Sequence, residues 1–106
     1  MFELLADEYA RTILTTTTDD SKSATMLARE LDAAQSTVYD RINRLLEFGL
    51  LEESTQIRSD GNHFATYRAN LKRLNLELTA DGFQMRVETK NRDAAADRLM
   101  ELWREL

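Results

Sequence analysis

Residues 23–51, SATMLARELDAAQSTVYDRINRLLEFGLL, read as two amphipathic helices joined by a short turn, and the rest of the chain is organised around them. The first helix is expected from about Ser23 to Leu31 with Ser23 or Ser21 as N-cap, because a serine oxygen accepts one of the amides that a first turn leaves unpaired. Met26, Leu27 and Leu31 supply its apolar positions, and Ala28 is small enough to let a second helix cross closely. Asp32, Ala33 and Ala34 form the turn. The second helix is expected to start near Gln35 and to finish at Gly49, which suits a C-cap after Phe48. Along it Val38, Ile42 and Leu45 recur at i, i+4 and i+7, which commits one face to a core.

The other face of that helix carries Gln35, Ser36, Thr37, Tyr39, Asp40, Arg41 and Arg44. Short hydrogen-bonding side chains in a first turn, with arginines further along, suit contact with base edges and phosphates. A plain solvated face would look the same, and one helix alone leaves both readings open. The sequel favours the first. Leu50 to Glu53 lead into a strand ending at Ile57, then a turn, Arg58-Ser59-Asp60-Gly61-Asn62, then a second strand, His63 to Arg68. Helix, helix, hairpin is the order of a winged helix. Arg58, His63 and Arg68 give the hairpin a basic cast. Arg58 is expected to probe a minor groove or a phosphate, and His63 to face solvent beside it rather than to bind a metal. Phe64 and Tyr67 are expected in the core.

Residues 10–69 resemble the winged helix-turn-helix transcriptional regulators of the ArsR-like superfamily, of the short haloarchaeal type. The likeness rests on ARTIL (10–14), ATMLARELD (24–32), QSTVYDRINRLLEFGLL (35–51) and RSDGNHFATY (58–67). It implies a homodimer that binds double-stranded DNA, and in many such regulators a helix outside the wing builds the dimer. Ala34 departs from the pattern, since these proteins usually place Ser or Thr there to cap the recognition helix. Gln35 or Ser36 would then serve the exposed amides, and a lost cap costs about 1 kcal/mol. Some relatives sense metals through Cys or His. Here there is no Cys and one His, so metal sensing is not carried over and no cofactor is expected.

A chain of 106 residues makes one domain. The single His, the missing Cys and only three Gly leave no catalytic triad, Cys–His pair or phosphate-cradling loop, so an enzyme is not expected. No apolar run approaches the roughly 20 residues of a membrane span, and a cytoplasmic location follows. The net charge of -5 is awkward for a DNA-binding protein. It is unevenly spread: residues 1–34 carry 3 basic and 7 acidic side chains, residues 35–73 carry 6 and 5, and residues 74–106 carry 5 and 7. The reading segment is the least acidic third. Acidic residues in excess, with 11 Arg against 3 Lys, also look like adaptation to a salt-loading cytoplasm. At about 1 M salt the Debye length is about 3 Å, so general repulsion between an acidic protein and DNA is screened.

Outside the motif, residues 2–14 are expected as one opening helix, with Phe2, Leu5, Tyr9 and Ile13 inward, and TTTTDD (15–20) as a polar linker. Leu74, Leu76 and Leu78, the turn Ala80-Asp81-Gly82, then Phe83, Met85 and Val87 alternate with polar residues as a second hairpin. Asn91 to Leu106 are expected as a helix. There Ala95, Leu99, Leu102 and Leu106 make a 4-3-4 stripe with Trp103 beside it. Leu99, Leu102, Trp103 and Leu106 would form a dimer seam, or fold back on the hairpin of their own chain. The expected architecture is α+β: a winged helix-turn-helix over 1–69, and a dimerisation hairpin and helix over 70–106. The function read from it is a homodimeric regulator, a repressor by simple occlusion, on palindromic promoter sites. Gln35, Ser36, Thr37, Tyr39, Arg41, Arg44, Arg58 and His63 would touch DNA. The alternative is a protein-interaction module or transcription-machinery adaptor, favoured if Arg41 and Arg44 prove to be tied up by neighbours.

Overall fold

The computed structural model describes residues 1–90 and the backbone of 100–103. The chain opens with α1 (Phe2–Ala6) and α2 (Glu8–Thr16), not the single helix expected over 2–14. Asp7 makes the break. Its backbone is extended (φ -78, ψ 128), and its carboxylate accepts a hydrogen bond from the Ala10 amide at 2.9 Å, capping α2. Aspartate competes in this way with helix continuation, because its short side chain can take over a backbone amide. The break also resets the buried face: Leu4, Ala10, Ile13 and Leu14 are inside, whereas Phe2 and Tyr9 are exposed.

Three of the four threonines in the run prove to be structural. Thr15 and Thr16 finish α2, and Thr17 is fully buried, its hydroxyl donating to the Ile13 carbonyl at 2.7 Å. Its own carbonyl accepts from the Ala69 amide at 3.1 Å, tying the end of α2 to the wing.

The helix pair has the bounds its caps imply. In α3 (Ala24–Leu31) the Ser23 hydroxyl accepts from the Met26 amide at 3.2 Å. Leu27 and Ala28 are buried, while Met26 points outward. Asp32 closes α3 in the left-handed region (φ 51), a conformation in which Asp is among the more tolerant residues. In α4 (Gln35–Glu47) Val38, Ile42 and Leu45 are all fully buried. Gly49 (φ 72) ends it in a Schellman motif: Gly49 donates to the Leu46 carbonyl at 3.0 Å and Leu50 to that of Leu45 at 2.9 Å. Leu45 and Leu50, the apolar pair such a motif brings together, are both fully buried.

The wing is a two-stranded antiparallel sheet of β1 (Leu51–Ile57) and β2 (His63–Ala69), registered from Leu51 opposite Ala69 to Ile57 opposite His63. Lys22 and Tyr67 exchange backbone hydrogen bonds of 3.0 and 2.8 Å, so the approach to α3 leans on the wing. Tyr67 is buried as expected, and Phe64 is half-buried. The second hairpin is also present, as β3 (Leu71–Thr79) and β4 (Gly82–Thr89) with Leu74, Leu76 and Leu78 opposite Val87, Met85 and Phe83.

The C-terminal expectation needs correction. Residues Met100–Trp103 form β5, antiparallel to β4, with Val87 opposite Met100 and Gln84 opposite Trp103. A helix does not run through 100–103, so Leu102 and Trp103 lie on a strand; the rest of that expectation, Leu99 and Leu106 included, falls outside the described residues. MELW alternates well enough to serve a period of two, and β4 offers it an open edge. Among the described residues no helix is long and apolar enough to cross a membrane.

Asn70 joins the two sheets. Its side-chain amide donates to the Gly49 carbonyl at 2.9 Å, its backbone N–H to the Leu50 carbonyl at 2.8 Å, and its carbonyl accepts from the Lys90 amide at 2.8 Å. It therefore fixes the end of α4 against both hairpins while itself buried. Asn70→Ala strands the Gly49 carbonyl and should lower stability by about 1–3 kcal/mol, read as a lower urea midpoint at unchanged slope.

Candidate nucleic-acid interface

The burial of Val38, Ile42 and Leu45 sets which side of α4 faces outward. At 100° per residue the direction opposite those three is occupied by Ser36, Asp40, Asn43 and Glu47, flanked by Tyr39 on one side and by Thr37 and Arg44 on the other. Gln35, Ser36 and Tyr39 are exposed and Thr37 is half-buried. Gln35 is partly committed, donating from its amide to the Thr25 hydroxyl at 3.3 Å and so bridging the starts of α3 and α4. No side chain caps α4: Ala34 stands at the N-cap in extended conformation, and neither Gln35 nor Ser36 takes over. The first amides of the helix are left to solvent or to a ligand, at the end where the helix dipole is positive.

Arg41 does a different job from the groove contact expected of it. Its Nε donates to Asp7 Oδ2 at 3.0 Å, Nη2 to Asp7 Oδ1 at 3.3 Å and Nη1 to Asp40 Oδ2 at 2.8 Å. The guanidinium also lies 5.9 Å from the centre of the Tyr9 ring. With its side chain only 25% exposed, Arg41 clamps the α1–α2 break onto α4. The hydrogen bonds from Arg41 hold the Asp7 carboxyl below the usual carboxylate range, against the opposing effect of partial burial. Arg44 is placed otherwise: its Nε lies 3.2 Å from Asp40 Oδ2, one helical turn back, but its side chain is 58% exposed. An exposed pair of this kind holds weakly, so Arg44 can exchange Asp40 for a phosphate.

At the wing tip Arg58 stacks on Phe64, its guanidinium carbon 4.9 Å from the ring centre. The turn is held by Arg58 N–H to the Asn62 carbonyl at 2.7 Å and Gly61 N–H to the Arg58 carbonyl at 2.9 Å, with Gly61 at φ 88. Asp60 accepts from both the backbone and the side chain of Asn62. Arg58 is thus an exposed cation on a defined tip, and His63 is exposed at the start of β2. Arg29 and Arg68 are exposed and make no ion pair among the described residues.

Two further residues shape this face. Asn43 is exposed, seven residues after Ser36 and four after Tyr39, on the same stripe. An asparagine there can offer a donor and an acceptor to an adenine edge. Its helical spacing was the available signal. Asp7 gave no comparable signal, since its partner Arg41 lies 34 residues away. Among the described residues no group of three or more His, Cys, Asp or Glu side chains could hold a metal ion.

Residues 5–54 match a family model described as a helix-turn-helix domain. The match takes in the end of α1, then α2, α3 and α4, and the first part of β1. No curated protein matches the chain. Together with the wing, the match supports a winged helix-turn-helix regulator.

Two stability predictions follow from the clamp and from the bare helix start. Because the Asp7 pKa is depressed in the folded state, its contribution is present above the ordinary carboxylate pKa of about 4 and is lost as pH falls through the lowered value. Asp7→Asn should therefore be less stable than the native chain at pH 7 and lose less on acidification, seen in urea titrations from pH 7 to pH 2. Ala34→Ser restores a cap and should gain about 1 kcal/mol in the same assay.

Proposed function

We propose that the chain is a sequence-specific transcriptional regulator that binds double-stranded DNA as a homodimer, with α4 in the major groove and the β1–β2 tip against the backbone beside it. One observation carries this reading. The first three turns of α4 present Gln35, Ser36, Tyr39 and Asn43 from a helix whose opposite face is fully buried and whose N-terminal amides have no side-chain cap. Free amides at a helix start suit a phosphate, and the polar stripe suits base edges. Arg44 and Arg58 add positive charge that the fold leaves at the surface. Thr37 and His63 flank these contacts. Repression by occupying a palindromic promoter site is the simplest mechanism for such a chain, and a salt-rich cytoplasm would remove most of the penalty of its net charge of -5.

The second reading, a winged helix that docks a protein partner, is favoured by the loss of Arg41 to Asp7 and Asp40. Selection from fragmented genomic DNA in molar KCl separates the two. The wild type should enrich an inverted repeat with half-sites about one helical turn apart. Arg44→Ala/Arg58→Ala should bind it more weakly at unchanged stability, with a salt dependence about two counterions shallower. A wild type that enriches nothing overturns the regulator reading and leaves the adaptor.

A further inference from the structure

β3 is nine residues long and pairs only with β4 among the described residues, so one whole edge of it is open. Its apolar positions are incompletely covered as well, with Leu74, Leu76 and Leu78 exposed at 38%, 46% and 73%. A long, unpaired, leucine-bearing edge is a template for another strand. The pattern of side chains on it says which strand fits.

We infer that β3 pairs antiparallel with β3 of a second copy, about a two-fold axis through Asn75, joining the two hairpin sheets edge to edge. Directly opposite residues in an antiparallel pair point to the same face, so leucines meet leucines only if the axis passes through a residue and not between two. Four axes of that kind lie near the middle of the strand. Through Leu74, Arg73 meets Asn75 and Leu76 meets Lys72. Through Leu76, Leu74 meets Leu78 but Asn75 meets Glu77, with no opposite charges across the pair. Through Glu77, two carboxylates meet. Through Asn75, Arg73 of each copy meets Glu77 of the other, Leu74 meets Leu76 and Lys72 meets Leu78, each twice. Opposite charges directly across a pair stabilise it and like charges oppose it, so the Asn75 axis is the complementary one.

The charges are placed for this. Arg73 already reaches Glu88 on β4 at 3.1 Å, yet its side chain is 60% exposed, and Glu77, opposite Gln84, makes no ion pair among the described residues. Pairing would extend the contact into a ladder of Glu88, Arg73 and the second copy's Glu77. A two-fold here also gives a regulator two recognition helices related by the symmetry of a palindrome. The inference rests on the homodimer part of the proposed function and names its interface.

The chain has no cysteine, so single cysteines report directly. On a two-fold through Asn75 the two copies of that residue sit about 4.5–5.5 Å apart at Cα, within the span a disulfide bridges. Asn75→Cys should therefore form a covalent dimer under mild oxidation, while Ala80→Cys, exposed in the hairpin turn, should not. Glu77→Arg sets arginines opposite one another and should halve the mass seen by light scattering, with the circular dichroism spectrum unchanged. Cross-linking at Asn75 no better than at Ala80, a dimer that survives Glu77→Arg, or a monomeric wild type each overturns the β3 interface. DNA selection by the same samples reports the regulator reading separately: a wild type that enriches DNA while its β3 variants fail these tests keeps the first and sinks the second.

Discussion

Everything else in the structure depends on the face of α4 that Val38, Ile42 and Leu45 bury completely. α1, α2, α3 and β1 all pack against this helix. A core so close-packed tolerates little rotation, since turning the helix by one residue would push an arginine or an asparagine into it. The outward stripe is therefore fixed by what the inward stripe requires. The position of α4 thus comes from hydrophobic burial rather than from polar contacts on its outward side.

The Asp7–Arg41 pair extends this arrangement to the start of the chain. Asp7 ends α1, caps α2 and clamps Arg41, so one carboxylate sets both the bend of the N-terminal segment and the rotamer of a side chain on α4. A pair held by hydrogen bonds to both carboxylate oxygens fixes geometry more than it adds stability. Asp40 then has Arg41 and Arg44 as partners. The middle of the outward face is therefore close to neutral.

What could be read from the sequence was local. The bounds of α3 and α4, the Ser23 cap, the missing cap at Ala34, the Gly49 stop and both hairpin turns follow from residues within a few positions of each other. What could not be read depends on distant partners. Nothing near Thr17 says that it will be buried and accept from Ala69, and nothing near Arg41 says that a carboxylate 34 residues earlier will turn it inward. At the C-terminus the difficulty was of another kind, because MELW satisfies a helical stripe and a strand alternation alike, and the open edge of β4 selects the strand. The outward face of α4 was legible in Ser36, Tyr39 and Arg44, all exposed, and Asn43 shares their helical spacing.

The acidity of the chain takes on a different meaning once the charges are located. Carboxylates at Asp7, Asp40, Glu30 and Glu88 are engaged by Arg41, Arg44, Lys22, Lys72 and Arg73. Arg29, Arg58 and Arg68 stay outside such pairs among the described residues. Exposed pairs bind loosely, so a phosphate can compete for Arg44 at small cost, while Arg41, held by three hydrogen bonds in a partly buried site, cannot be recruited without loosening the helix. The same sequence element, an arginine on the polar side of α4, thus serves two ends three residues apart. Net charge describes neither. In a salt-rich medium it would be screened beyond a few ångströms, and within them the partner of each guanidinium decides whether it is available to a ligand.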